Sequence, residues 1–207
     1  MMFLRYESFR EYVKYYPVNT AILIIVVAVH AGVFVASLIT GIPADTIKLV
    51  LGMFSNQPPF NEVSNLWRYV ASIFLHNDFP HLLFNSFAIF VFAPPLERLL
   101  GKLRYAVLFL FAGIVGNVFT NFYPPGIFSL GASGAVYGVF GAYLFLTLFR
   151  RRLMDEGSRK TLYSMLGVGV IYSLIIPQIN YLAHLGGFVG GFILLALYSQ
   201  FLRGRYV

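Results

Sequence analysis

Long stretches without a charged residue constrain this 207-residue chain more than any other feature of its sequence. There are four, of 27, 18, 45 and 42 residues: 18–44, 79–96, 105–149 and 161–202. A helix needs about 20 mostly apolar residues to cross a bilayer, so each of the last two stretches is long enough for two spans. Turn residues interrupt both, at Tyr123-Pro124-Pro125-Gly126 and at Pro177-Gln178-Ile179-Asn180.

The sequence therefore predicts an all-α membrane protein with six transmembrane helices in one domain, residues 1–207. The predicted spans are 18–40, 79–98, 103–122, 131–149, 161–177 and 181–202. Composition excludes an ordinary soluble domain, because only 11% of the residues are charged, against about 25% in soluble proteins. The chain has no cysteine, which excludes disulfides, thiolate metal sites and a cysteine nucleophile.

The positive charges fix a predicted orientation. With six spans, 13 of the 15 Lys and Arg residues fall on one side: Arg5, Arg10, Lys14, Arg98, Lys102, Arg104, Arg150, Arg151, Arg152, Arg159, Lys160, Arg203 and Arg205. Only Lys48 and Arg68 remain on the other. The positive-inside rule then places both termini in the cytoplasm, and the basic excess indicates topology rather than nucleic-acid binding. The long loop 41–78 faces outside, and its amphipathic segments 47–54 and 66–70 favour the membrane interface.

Polar side chains inside a membrane are functional candidates by default. His81 and Asn85 lie near the start of span 2, Ser133 near the start of span 4 and His184 near the start of span 6. These three spans all begin on the outer side, so the four residues lie within about 10 Å of the same surface. His81 and Asn85 are four residues apart and share one helix face.

Small residues favour close packing of spans 4 and 6. Gly134 and Gly138 form one small-xxx-small pair, and Gly187 and Gly191 form another, and such pairs let helix backbones approach closely. This packing is expected to bring Ser133 within hydrogen-bond reach of His184, which is the arrangement of an activated nucleophile and its base.

The supporting groups follow from the same placement. His81, Asn85 and the Ser133 amide are candidate donors to a developing oxyanion. No carboxylate is suitably placed to orient His184; Asp78, the nearest, is expected to cap span 2. The prediction is therefore a dyad, with Tyr137, one turn after Ser133, packed against the imidazole. Each residue alone also has a structural explanation, such as helix packing or an interfacial position, and their convergence favours chemistry.

At these residues the sequence resembles the rhomboid family of intramembrane serine proteases, from the first span to the last. Gly131-Ala132-Ser133-Gly134 resembles the family's G-x-S-G motif, and Ala183-His184 with Gly187 and Gly191 resembles A-H-x-x-G-x-x-x-G. His81 to Asn85 resembles H-x-x-x-N, with His76 matching a further upstream histidine. Trp67-Arg68 resembles the W-R pair of the first outer loop, and Glu97 with Gly101 resembles an E-x-x-x-G motif. The five motifs occur in the family's order.

The resemblance implies a mechanism. Ser133 would be the nucleophile, His184 the general base, and His81, Asn85 and the Ser133 amide the oxyanion donors. Tyr137 would stack on His184, and Trp67 and Arg68 would anchor the first loop. Leu130 stands where some members have Gly, which weakens one backbone oxyanion contact, and Pro94-Pro95 is expected to kink or shorten span 2.

The resemblance also implies substrates and location. The substrates would be single-span membrane proteins cut in or near their transmembrane segment, with span 5 and the loop 177–181 as gate and cap. No cofactor or metal is implied. The short termini and the absence of a targeting segment favour a prokaryotic plasma membrane, with the active site facing the extracytoplasmic side.

Three other interpretations stay open at this point. The first is a catalytically inactive rhomboid-like binder of membrane clients. This chain keeps both Ser133 and His184, which disfavours that interpretation, because such proteins typically lose one of the two residues. The second is a small channel or carrier, which the off-centre polar groups and the lack of a repeat disfavour. The third is a zinc hydrolase using His76, His81 and His184, which lacks a nearby carboxylate base.

Overall fold

The computed structural model describes residues 2–4, 6–59, 62–176 and 179–202. These residues form ten α-helices: α1 Phe9–Tyr15, α2 Pro17–Thr40, α3 Ala44–Leu51, α4 Arg68–Phe74, α5 Phe79–Phe92, α6 Pro94–Leu100, α7 Lys102–Thr120, α8 Ser133–Phe149, α9 Glu156–Ile175 and α10 Tyr181–Tyr198. Short 3-10 turns cover Val63–Asn65, Arg151–Leu153 and Ser199–Leu202. Two strands, β1 Met53–Phe54 and β2 Phe128–Ser129, pair antiparallel. Arg5, Arg203, Arg205, Pro177 and Gln178, which entered the topology and gate predictions, lie outside the described residues.

Seven of these helices, α2 and α5 to α10, overlap the six predicted spans, because α5 and α6 share the second span. Within the described residues, α2, α7 and α10 are each long and apolar enough to cross a membrane, and α5 with α6 qualifies as a bent pair. α8 is apolar but has 17 residues. The helical membrane architecture agrees with the sequence, while the number of six spans and the orientation of the termini stay predictions.

The break in span 2 falls at the prolines. α5 ends at Phe92, α6 begins at Pro94, and the two axes differ by 44°. Proline has no N–H to donate to the preceding turn and its ring crowds that turn, so a helix bends or restarts there. The predicted kink is confirmed.

α9 begins earlier than the predicted span, which was set to start at residue 161. Asp155 caps the helix, and its side chain accepts hydrogen bonds from the Ser158 amide at 2.9 Å and the Ser158 hydroxyl at 2.6 Å. Residues 156–160, three of which are charged, were predicted to lie in a loop because of this charge, but they form the first turns of the helix. A capping carboxylate stabilises helical N–H groups that would otherwise lack partners, which explains the earlier start.

This cap predicts a pH dependence of stability. Burial opposes ionisation of Asp155, but hydrogen bonds from Ser158 and from the Met2 amide outweigh it and lower the pKa to about 2. A depressed pKa contributes stability that is present above the ordinary aspartate pKa of about 3.9 and is lost as the pH falls through about 2. We therefore expect thermal unfolding midpoints measured in detergent between pH 2 and 6 to show wild type more stable than Asp155→Ala above about pH 3.9. The difference in midpoint should shrink as the pH falls from there toward 2. A constant difference across the range would contradict this assignment.

Main-chain packing holds α8 against α10. A Cβ at Gly187 would overlap the Gly134 carbonyl oxygen and lie 3.0 Å from the Gly134 Cα. A Cβ at Gly191 would likewise overlap the Gly138 carbonyl oxygen and lie 2.6 Å from the Gly138 Cα. The two small-xxx-small pairs therefore face each other, as predicted, and fix the register of the two helices.

A buried carboxylate connects the start of α2 to α6. Glu97, on α6, is 2% exposed and accepts hydrogen bonds from the Val18 amide at 3.0 Å and the Asn19 amide at 2.8 Å. These amides belong to the first turn of α2, which has no partners for them within the helix. Gly101, four residues later, has a φ of +82° where α6 turns into α7. The Glu97 and Gly101 motif therefore joins three helices.

Candidate active site

Ser133 is the first residue of α8. The preceding turn passes through Gly131, whose φ of +119° strongly favours glycine, and the Gly131 amide donates to the Ser72 carbonyl at 2.8 Å. The first amides of a helix have no acceptor within it, so the Ser133 N–H is available to a ligand. Ser133 is half-buried, and its hydroxyl makes no hydrogen bond among the residues that the structure describes.

His184 lies in the first turn of α10. Asn180 caps this helix, and its side-chain oxygen accepts a hydrogen bond from the Ala183 amide at 2.8 Å. The imidazole is 8% exposed, and the Tyr137 ring stacks on it with 4.1 Å between centroids and 9° between planes. Tyr137 is one turn after Ser133 on the same face of α8, so this stack brings the nucleophile candidate alongside the imidazole.

The expected hydrogen bond between Ser133 and His184 does not form in the described structure. The Nδ1 atom of His184 instead lies 2.7 Å from the hydroxyl of Ser173, on α9. The Ser173 hydroxyl is also 3.0 Å from the Tyr137 hydroxyl. The structure therefore sets His184 against Tyr137, one turn after Ser133, and the direct contact of the predicted dyad stays a prediction.

Sequence reasoning missed Ser173. A signal was available, because Ser173 lies four residues before the predicted end of span 5 and so at the depth of the other polar candidates. A serine in a helix is usually a packing residue, however, and nothing in the sequence indicates which way α9 is rotated. The contact with His184 is visible only in three dimensions.

His81 lies against the nucleophile turn. A Cβ at Gly131 would be 2.7 Å from the His81 Cε1 atom and 2.8 Å from Nε2, so the imidazole packs directly on this glycine, two residues before Ser133. The His81 Nδ1 atom accepts a hydrogen bond from the Asn77 amide at 3.4 Å. This leaves the proton of the neutral ring on Nε2, the nitrogen that faces Gly131.

Asn85 lies one turn farther along α5 and is buried. Its side-chain amide donates to the His81 carbonyl at 3.0 Å. Asp78 caps α5 as predicted, with its side chain accepting from the His81 amide at 2.8 Å. Both contacts tie the start of α5 around His81, and because the Asn85 NH2 group has two N–H donors, its predicted role as an oxyanion donor stays a prediction.

His76 packs against the His81 ring. It is 1% exposed, and its ring meets the His81 ring edge-to-face with 5.1 Å between centroids. Burial, followed by the electrostatic effect of His81, lowers the pKa of His76 to about 3. His76 is therefore neutral near pH 7 and serves as a packing partner.

Trp67 and Arg68 anchor the loop before α5. The Arg68 guanidinium, buried, donates to the carbonyls of Val50 and of Gly52, the latter at 3.1 Å, and to the Asn65 side chain at 3.0 Å. It also lies 4.6 Å from the centroid of the Trp67 ring, which is partly exposed. These bonds connect the first residue of α4 to the end of α3.

Four of the eight carboxylates have roles away from His184. Asp78 caps α5, Glu97 binds the first turn of α2, Asp155 caps α9, and Asp45 pairs with Lys48 at 3.0 Å. Within the described part of the chain, no three His, Asp or Glu side chains come close enough to share a metal ion, so the zinc interpretation lacks a ligand set.

A family model described as "Rhomboid domain" matches residues 63–201. The Bacillus subtilis (strain 168) protein named "Putative rhomboid protease YdcA" is 40% identical over 206 residues, which cover 99% of this chain and 100% of that protein. "Rhomboid protease GluP" of the same organism is 31% identical over 61% of this chain and 25% of its own length. "Rhomboid-type serine protease 2" of Emericella nidulans is 30% identical over 62% of this chain and 26% of its own.

Proposed function

This chain belongs to the rhomboid family, and from that membership and the geometry around Ser133 we propose that it is an intramembrane serine endopeptidase. The observation that carries the proposal is the stack of Tyr137 on His184, because it sets the imidazole beside the first turn of α8. The substrates we propose are single-span membrane proteins, cut in or near the transmembrane segment.

The chemistry begins with attack of the Ser133 Oγ on the scissile carbonyl carbon. The His184 Nε2 atom takes the hydroxyl proton as the bond forms, and it later donates that proton to the leaving amine. Water then attacks the acyl-enzyme, again with His184 as base, and releases the second product. Hydrogen bonds between catalytic groups are often loose in the free enzyme and tighten with substrate, so a turn of the Ser133 side chain completes the dyad.

Two donors support an oxyanion hole. The Ser133 amide is free at the helix start, and the His81 Nε2–H faces the same turn. Asn85 acts through His81 by holding the first turn of α5, to which it is hydrogen-bonded. The turn at Gly131 keeps these groups close to the nucleophile, and such preorganised donors stabilise the charge that develops in the transition state.

His81→Ala is expected to lower kcat by roughly 10²–10³-fold, the usual effect of removing one oxyanion donor. The measurement is cleavage of a single-span substrate in proteoliposomes. Asn77→Ala serves as the control, because it keeps the backbone amide that His81 uses. Activity of His81→Ala close to wild type would remove His81 from the mechanism.

The chain is a multi-pass membrane protein by family and by its apolar helices. We further propose six spans in one domain, both termini in the cytoplasm and an active site open to the extracytoplasmic side of a prokaryotic plasma membrane. The distribution of the cations supports this orientation, as does the start of α5, α8 and α10 at the same end. α9 and the following loop would form the gate.

Labelling with a fluorophosphonate and cleavage assays test the function together. We expect the purified chain in liposomes to cleave single-span substrates and to react covalently with the probe at Ser133. Binding of such substrates without either reaction would favour the alternative, a rhomboid-like binder without activity.

A further inference from the structure

The Ser173 hydroxyl connects three groups at the centre of the site. Its oxygen lies 2.7 Å from the Gly169 carbonyl oxygen, 2.7 Å from the His184 Nδ1 atom and 3.0 Å from the Tyr137 hydroxyl. Ser173 is 6% exposed, so these partners replace water at this position.

A single proton decides the direction of these bonds. The Gly169 carbonyl can only accept, and two oxygens 2.7 Å apart repel each other without a proton between them. The Ser173 proton therefore points to Gly169, as is common for serine in a helix. Both other partners must then donate, which places a proton on the His184 Nδ1 atom and leaves a lone pair on Nε2.

We propose that Ser173 is a positioning residue that holds His184 in the tautomer with the proton on Nδ1, in the place that a carboxylate occupies in a Ser-His-Asp triad. The proposal rests on the function proposed above for Ser133 and His184. The Ser133 proton moves to Nε2 during attack, and Nδ1 keeps its own proton and its bond to Ser173 throughout. When the leaving amine takes the Nε2 proton, the same neutral tautomer returns.

A hydroxyl suits this position better than a carboxylate in a membrane protein. A buried carboxylate is unfavourable unless it is fully paired, whereas a serine oxygen accepts the Nδ1–H without a net charge. Tyr137 adds its own O–H to the same oxygen and stacks on the ring, so both the plane and the tautomer of His184 are fixed by neutral groups.

α9 has few other buried contacts. Most of its side chains are exposed, and its buried residues within the described chain are Ser158, Leu162 and Ser173. Of these, Ser173 alone contacts His184. The tautomer of the base therefore depends on α9 lying in its packed position.

Nitrogen NMR of ¹⁵N-histidine-labelled protein in detergent at pH 8 tests the tautomer directly, and His184→Ala assigns the signals. We expect His184 in wild type to show a protonated Nδ1 and an unprotonated Nε2, and Ser173→Ala to shift it toward an even mixture or the opposite tautomer. An Nε2–H tautomer in wild type, or an unchanged His184 in Ser173→Ala, would overturn the proposal. This readout needs no activity, so it stands apart from failure of the proposed function, which absence of labelling and cleavage in wild type would reveal. If Ser173→Ala does not fold, the wild-type tautomer alone decides.

Kinetics provide the second readout. We expect Ser173→Ala to lower kcat by about 10- to 100-fold with KM unchanged, the usual effect of one hydrogen bond to a charged group. Ser173→Thr keeps the hydroxyl and should restore most of the rate. Ser164→Ala, on the exposed side of α9, is the matched control and should match wild type. A loss in Ser173→Ala that Thr does not rescue, or no loss at all, would contradict a positioning role.

Discussion

Replacing Ser133 with alanine is expected to abolish cleavage of a single-span substrate while the protein stays folded. Loss of the nucleophile in a serine protease lowers kcat by about 10⁴-fold or more, which is below detection in most membrane assays. The fold should tolerate the change, because the hydroxyl has no hydrogen-bond partner within the described residues and Ser133 is only half-buried. The measurements are cleavage in proteoliposomes and covalent fluorophosphonate labelling, both of which should disappear.

Ser37→Ala is the matched control for this experiment, since it makes the same change on α2, away from α8 and α10. His184→Ala is expected to reach the same loss through removal of the base, and the double variant should be no slower than either single one, because the two residues act as a unit. Cleavage near the wild-type rate in either single variant would contradict the dyad.

The second large effect is expected from Gly191→Ala. The added methyl would overlap the carbonyl oxygen of Gly138, which is backbone and cannot rotate away as a side chain does. Separation of α8 and α10 at this point is expected to cost about 3 kcal/mol of stability, the upper part of the range for overpacking. It would also shift His184 relative to Ser133, so activity should fall together with the thermal unfolding midpoint in detergent.

Gly32→Ala provides the comparison for this prediction. Gly32 lies within α2, and a Cβ there meets nothing within 4 Å, so the same substitution should be neutral or slightly stabilising through its higher helix propensity. Equal unfolding midpoints for the two variants would mean that the contact between α8 and α10 has little energetic weight.

Much of the architecture follows from the sequence because it depends on local chemistry. Charge-free stretches define the long helices, Pro94 breaks the second of them and Asp78 caps it. The contact of Gly187 with Gly134 could also be predicted, because paired small residues leave few other ways for two apolar helices to pack.

The remaining features depend on how each helix is rotated about its axis and on individual side-chain contacts, which the local sequence pattern does not indicate. Ser173 looks like any other helical serine until α9 is rotated against α10, and α9 itself starts early because a single carboxylate, Asp155, caps it. Asn85 has the right spacing to face Ser133, yet its amide finds an acceptor at the His81 carbonyl of its own helix. In each case the contact depends on how the backbone is placed in three dimensions, which the spacing of residues along the chain does not specify.

The glycine contact between α8 and α10 limits how the proposed protease can change its sequence specificity. Because the contact is made by main-chain atoms, it has no rotamers to rearrange, and a larger side chain there would move the proposed nucleophile and its proposed base apart. Variation that alters which sequences are cut is therefore expected away from this contact between α8 and α10. The proposed catalytic pair can stay constant while its surroundings diversify, so positions of α5 and α9 other than His81, Asn85 and Ser173 are the ones to randomise in a search for variants with altered specificity.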